Sequence, residues 1–176
     1  MAWGGLLVVN FVNNIKMLKY VDTAVTFSEV PDEITLCINI SNCPCHCKNC
    51  HSSYLAEDIG ENLSCEKLEE LIQDNKGITC ISFMGGDIDP MEIVGLSKYI
   101  KSTYPELKVA WYSGRQELPK NINLEPFDYI KLGPYEESKG PLNKNTTNQR
   151  FYKVFHFSNN KNKLMDITYK FWVGSN

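Results

Sequence analysis

One stretch constrains this chain more than any other: Cys43-Pro44-Cys45-His46-Cys47-Lys48-Asn49-Cys50. It follows directly on an apolar alternation. Ile34, Leu36, Ile38 and Ile40 are interleaved with Thr35, Cys37 and Asn39, which predicts a strand over Glu33–Ile40. Ser41–Ser53 is then a polar, thiol-rich loop leaving that strand. The chain has seven cysteines, an odd number, and Cys65 and Cys80 stand apart from the rest. A disulfide framework suits a shorter secreted chain, whereas 176 residues can bury a core without help from disulfides. The cluster is therefore read as metal-binding, in a chain of the reducing cytoplasm.

Two readings of the spacing compete. Cys43, Cys47 and Cys50 form a C-x3-C-x2-C set. Adding Cys45 gives four thiolates, which would close a zinc or iron–sulfur site and make it structural or electron-carrying. Three thiolates on a four-iron cluster leave one iron without a protein ligand, and an open position is what a metal needs to act on a bound molecule. A redox pair of Cys47 and Cys50 is the weaker alternative, because the extra cysteines invite wrong pairings. His46, between these residues, is read as solvent-facing.

Beyond the loop, Ser64 predicts a helix cap, with Leu68, Leu71 and Ile72 on one face of a helix reaching Asn75. Ile78–Met84 reads as a strand ending in Gly85-Gly86-Asp87. Asp89, Pro90 and Glu92 have the spacing of a capping box, opening a helix to about Thr103. Leu107–Tyr112 and Phe127–Leu132 read as further strands, ending in Ser113-Gly114 and Gly133-Pro134. Phe151–Phe157 and Met165–Val173 suggest a closing hairpin with its turn at Ser158–Lys163. Cys65 and Cys80 read as buried small hydrophobes.

Strands alternating with helices indicate parallel β/α units, whose ligand residues gather at the strand carboxyl ends. The net charge of −3 gives no broad basic surface for nucleic acid. No apolar run approaches the roughly 18 residues of a membrane span. Residues 1–16 read as an N-terminal extension of uncertain status, with Met17 a second candidate start and 17–176 a single domain. Met1–Ile15 has neither the cationic region nor the cleavage site of a secretory signal.

With these residues in place the chain resembles the radical S-adenosylmethionine (radical SAM) enzymes: C-x3-C-x2-C after one strand, a Gly-Gly-acidic turn after the next. Within them it looks like the activating proteins of anaerobic ribonucleoside-triphosphate reductase. Cys47–Ser52, Asp58–Glu61, Phe83–Asp87, Tyr129–Tyr135 and Thr146–Arg150 carry that likeness, which runs from about Met17 to Val173. The resemblance implies an α/β fold, an incomplete open (β/α) barrel of radical SAM type with a C-terminal β-hairpin. It implies a [4Fe-4S] cluster on Cys43, Cys47 and Cys50, with S-adenosyl-L-methionine chelating the fourth iron. One-electron reduction would cleave SAM to a 5′-deoxyadenosyl radical that abstracts hydrogen from a glycine of the reductase. A reduced flavodoxin-like protein would supply the electron.

The same resemblance points to Gly85, Gly86 and Asp87 for the amino group of SAM, and to Asn49 and His51 for its adenine side. Ser113, with Tyr112, is expected near the ribose or carboxylate. Two departures stand out: Asp87 replaces the more frequent Glu, and Asn49 stands where many such enzymes carry an aromatic residue. Thr146–Arg150 is read as a partner-contact or loop-ordering segment, against a plain solvated loop.

Overall fold

The computed structural model describes residues 17–157 and 162–172. The expected extension at 1–16, most of the turn 158–163 and the end of the resemblance at Val173 lie outside the described residues. Among the described residues, eight strands and two α-helices follow in the order β1 (Lys19–Thr26), β2 (Thr35–Ile40), β3 (Glu61–Asn62), α1 (Cys65–Asp74), β4 (Cys80–Met84), α2 (Pro90–Thr103), β5 (Lys108–Tyr112), β6 (Tyr129–Leu132), β7 (Arg150–His156) and β8 (Asn162–Asp166).

All eight strands join one sheet of order β3-β1-β2-β4-β5-β6-β7-β8. Its centre, β2-β4-β5-β6, is parallel. Its flanks are antiparallel: β1 against β2 and β3, and β7 against β6 and β8. This corrects the expected fold. The molecule is a mixed open sheet and not an incomplete (β/α) barrel. Only two of the links between parallel strands carry a helix, and β5 reaches β6 through irregular chain. Antiparallel strands on both sides of the parallel centre cannot continue the repeat of strand and helix on which such a barrel depends.

Strand periodicity sorts the side chains into two layers. Leu36, Ile38, Ile81, Phe83, Val109, Trp111 and Ile130 point to one face, where they bury Leu68 and Ile72 of α1 and Ile93, Val94, Leu96 and Ile100 of α2. Both helices lie on this face, as right-handed crossovers require. On the other face Cys80, Ala110, Tyr129 and Phe151 pack with Val30 and Ile167.

The helix starts form where the sequence placed them. Ser64 accepts from the Lys67 amide at 3.2 Å, and Asp89 accepts from Met91 and Glu92 at 3.1 and 3.0 Å. Glu92 does not close the expected capping box. Its carboxylate accepts instead from the Leu18 amide at 2.9 Å and so anchors the entry to β1. β1 itself was not foreseen, because most of its residues are half-buried or exposed and its alternation is weak. In the closing hairpin the second strand is Asn162–Asp166, and Thr168–Phe171 forms a 3-10 turn in place of a strand. Cys80 is fully buried as expected, but Cys65 opens α1 and is only half-buried.

Candidate metal centre

The cysteine loop is held at its stem by backbone. Asn42 and Cys43 donate to the carbonyls of Glu57 and Leu55, each at 2.9 Å, and Ser41 Oγ donates to Ile59 O at 2.6 Å. Within the loop the Cys50 amide donates to Cys47 O at 3.2 Å, closing a turn over Lys48 and Asn49. Three loop residues take left-handed backbone: Asn42 (φ 58°), His46 (φ 44°) and Asn49 (φ 56°). Asparagine tolerates this region better than bulkier residues do. The turn thus gives a local reason for an asparagine at position 49.

All four loop cysteines are free and half-buried. Among the described residues no three His, Cys, Asp or Glu side chains form a ready cage for a single ion. A four-iron cubane spreads its ligand sulfurs more widely than one tetrahedral ion does; it is held by cysteine thiolates, and the charge around it tunes its potential. The loop offers four thiols within eight residues, beside the buried ammonium of Lys131. On donor chemistry and local charge the residues fit such a cluster.

Beneath the loop lies a polar network at the carboxyl ends of β4, β5 and β6. Asp87 is 1% exposed. Its carboxylate accepts from Ser113 Oγ at 2.6 Å and from the Gly114 amide at 2.7 Å. Arg115 Nε lies 3.6 Å from Asp87 Oδ1, and its guanidinium also donates to the Asp87 carbonyl at 2.8 Å. Cys45 Sγ reaches Asp87 Oδ2 at 3.7 Å. Burial, the Asp87 carboxylate and neighbouring Cys43 push the Cys45 thiol up to about 12.

Lys131, 7% exposed, completes the floor. Its Nζ donates to Gly133 O at 2.6 Å and to Ser113 O at 3.5 Å. Burial pulls this ammonium down to about 8, while Cys47, Asp87, Cys45 and Cys50 favour its charge. Neither Lys131 nor Arg115 was singled out from sequence. The available signal was a lysine inside the apolar run Tyr129-Ile130-Lys131-Leu132, since a buried strand keeps a charge only where something answers it.

The expected cofactor residues divide into two groups. Asn49 and His51 are exposed on the loop. Asn49 Nδ2 donates to Glu137 at 2.6 Å, and His51 Nδ1 lies 3.3 Å from Ser52 Oγ. Gly85, Gly86, Asp87 and Ser113 sit at neighbouring strand ends, but Asp87 and Ser113 are bonded to each other. The freedom of the two glycines is used by the protein itself. A Cβ on Gly85 would lie 3.1 Å from Ile40 O, and one on Gly86 2.4 Å from Ile93 Cδ1, both at positive φ. Tyr112 does not turn to this site: its hydroxyl donates to Glu29 O.

The Thr146–Arg150 block orders the loop after β6. Asn148 Nδ2 donates to Pro134 O at 2.9 Å, Gln149 Nε2 to Gly133 O at 3.4 Å, and Thr147 Oγ1 to Gly140 O at 3.2 Å. No helix among the described residues is long and apolar enough to cross a membrane.

A family model described as a 4Fe-4S single cluster domain matches residues 34–162, which takes in the cysteine loop and β2 through β7. No curated protein matches the chain. No solved structure matches it.

Proposed function

This chain belongs to the 4Fe-4S single cluster domain family, and from that premise we propose that it is a radical SAM activating enzyme. The proposed protein substrate is an anaerobic ribonucleoside-triphosphate reductase, on which it would generate a glycyl radical. The observation that carries this reading is the placing of the C-x3-C-x2-C loop. It leaves β2 at the sheet edge that also bears Gly85-Gly86-Asp87 and Ser113-Gly114.

In this reading Cys43, Cys47 and Cys50 hold the cluster and leave one iron open for S-adenosyl-L-methionine. When bound, the cluster supplies the single electron that breaks a carbon–sulfur bond of SAM. The protein's share is binding and orientation. The backbone of Gly85 and Gly86 and the loop residues Asn49 and His51 are the proposed SAM contacts. Asp87 and Ser113 brace the Gly114 backbone beneath the loop, and as they stand their polar atoms serve that brace. A reduced flavodoxin-like donor in a reducing, cytoplasmic setting fits these needs.

The test is anaerobic reconstitution with iron and sulfide. The reading expects a brown protein with about four irons per chain, release of 5′-deoxyadenosine from SAM under dithionite, and a glycyl radical signal when the cognate reductase is added. SAM cleavage without that signal would move the substrate elsewhere; a four-iron protein inert to SAM would remove the enzyme reading. That last outcome fits a second reading, an electron-carrying centre with four thiolates, which is favoured by the nearness of Cys45 to Cys43 and Cys47.

A further inference from the structure

Lys131 is a buried charge whose direct hydrogen-bond partners are all uncharged. It lies on β6 between Ile130 and Leu132, whose side chains enter the core on the opposite face. Its ammonium is buried, and its hydrogen-bond partners are two carbonyls, Gly133 O and Ser113 O. Burying an ammonium against carbonyl dipoles alone is costly, and a neutral side chain of similar length would fill the same space without that penalty.

The residues around it indicate where the answering charge belongs. Ser113, whose carbonyl faces Lys131, donates its hydroxyl to Asp87, and Asp87 in turn meets Cys45 Sγ at 3.7 Å. The ammonium therefore lies two side chains from the cysteine loop, and Cys47, Asp87, Cys45 and Cys50 all bear on its charge. Asp87 is already paired with Arg115, so the two cations outnumber the one carboxylate and leave a positive charge for the loop. Three thiolates on a four-iron cubane leave the centre net negative, and each added electron makes it more so. A fixed cation in a water-poor floor acts on that charge with little screening.

We propose that Lys131 is a positioning residue for electron entry: its buried ammonium is the counter-charge of the cluster held by the cysteine loop and raises that cluster's reduction potential. This rests on the cluster-binding reading of the loop and on neither SAM nor the protein substrate. It concerns charge, so arginine is expected to substitute and neutral residues are not.

The experiment is a dye-mediated potentiometric titration of the reconstituted cluster, followed by electron paramagnetic resonance, on wild type, Lys131→Arg, Lys131→Gln and Lys131→Met. Gln retains an N–H for the Gly133 carbonyl, so it separates loss of charge from loss of a hydrogen bond. Both neutral variants are expected to shift the reduction equilibrium at least about tenfold toward the oxidised form, which is about 59 mV lower for one electron. Lys131→Arg should stay near wild type. Folded neutral variants that hold no iron while Lys131→Arg does would also support the counter-charge. An unchanged potential in Lys131→Gln overturns the proposal, as do neutral variants that lose their secondary structure by circular dichroism, since the lysine is then structural. Absence of iron from the wild type itself would instead sink the cluster reading of the loop.

Discussion

Cys45 Sγ and Asp87 Oδ2 lie 3.7 Å apart, joining the middle of the cysteine loop to a carboxylate that is 1% exposed. Cys45 also fills the space that a side chain at Gly114 would take: a Cβ there would stand 2.6 Å from its sulfur. Cys45 is therefore packed against the floor of the loop. That placement suits a residue that seats the loop better than one that holds iron.

The first prediction follows from this division of roles. Alanine at Cys43, Cys47 or Cys50 should abolish iron loading, and Cys45→Ala should keep most of it. Iron and acid-labile sulfide per chain after anaerobic reconstitution measure this directly. Loss of the cluster in Cys45→Ala together with its retention in Cys43→Ala would reverse the assignment.

Gly114→Ala should overpack the contact with Cys45 and destabilise the metal-free protein by about 1–3 kcal/mol. For a chain of this length each kcal/mol is about 2–4 °C in Tm. In a Cys45→Ala background the 2.6 Å contact with sulfur is gone and only a 3.1 Å contact with the remaining Cβ stays, so the second substitution should cost less there. Thermal unfolding of the four proteins gives the coupling, and simple additivity would show that the two residues do not press on each other.

Alkaline pH should weaken the fold through the face of the sheet that carries Cys80 and Tyr129. Burial, and then Glu29, push the Cys37 thiol up to about 12, and burial with Glu33 raises Cys80 further. Tyr129 and Tyr112 are raised in the same direction, again mainly by burial. Each of these groups holds its proton more firmly when folded, so between about pH 9 and 12 the native state binds more protons than the unfolded chain. Stability is then full below that window and falls as pH rises through it. Guanidinium unfolding at a series of pH values should show the decline, with a shallower slope in Cys37→Ala and Cys80→Ala. Equal slopes would contradict the assignment.

Glu92→Ala should act locally. The carboxylate of Glu92 is the acceptor for the Leu18 amide at the entry to β1, and β1 is held otherwise by its ladders to β2 and β3. Hydrogen exchange at Leu18 and the first residues of β1 should quicken by about fivefold or more, the equivalent of one lost hydrogen bond of about 1 kcal/mol. Exchange in β4 and β5 should not change. A uniform increase through the sheet would mean that Glu92 supports the whole fold.

Local patterns were legible in the sequence. The strands ending at Ile40, Met84, Tyr112 and Leu132 and the caps at Ser64 and Asp89 follow from side-chain period and from the orphan amides of a helix start, both short-range effects. The thiol spacing of the loop is legible for the same reason, because Cys43 to Cys50 are near neighbours in the chain. The direction in which strands pair is a long-range matter. β1 and the β7–β8 hairpin turned the expected barrel into an open mixed sheet, since an alternation of apolar residues does not say which neighbour a strand takes or in which direction. The pairing of Asp87 with Ser113, the anchoring of Leu18 by Glu92 and the burial of Lys131 beneath the loop belong to the same class. Each joins residues far apart in sequence, and only the closing of the sheet brings those partners together. The sequence by itself determined that four thiols would stand at the end of a buried strand. The tertiary structure decided what lies under them, because burial of charge is a property of packing and not of residue order.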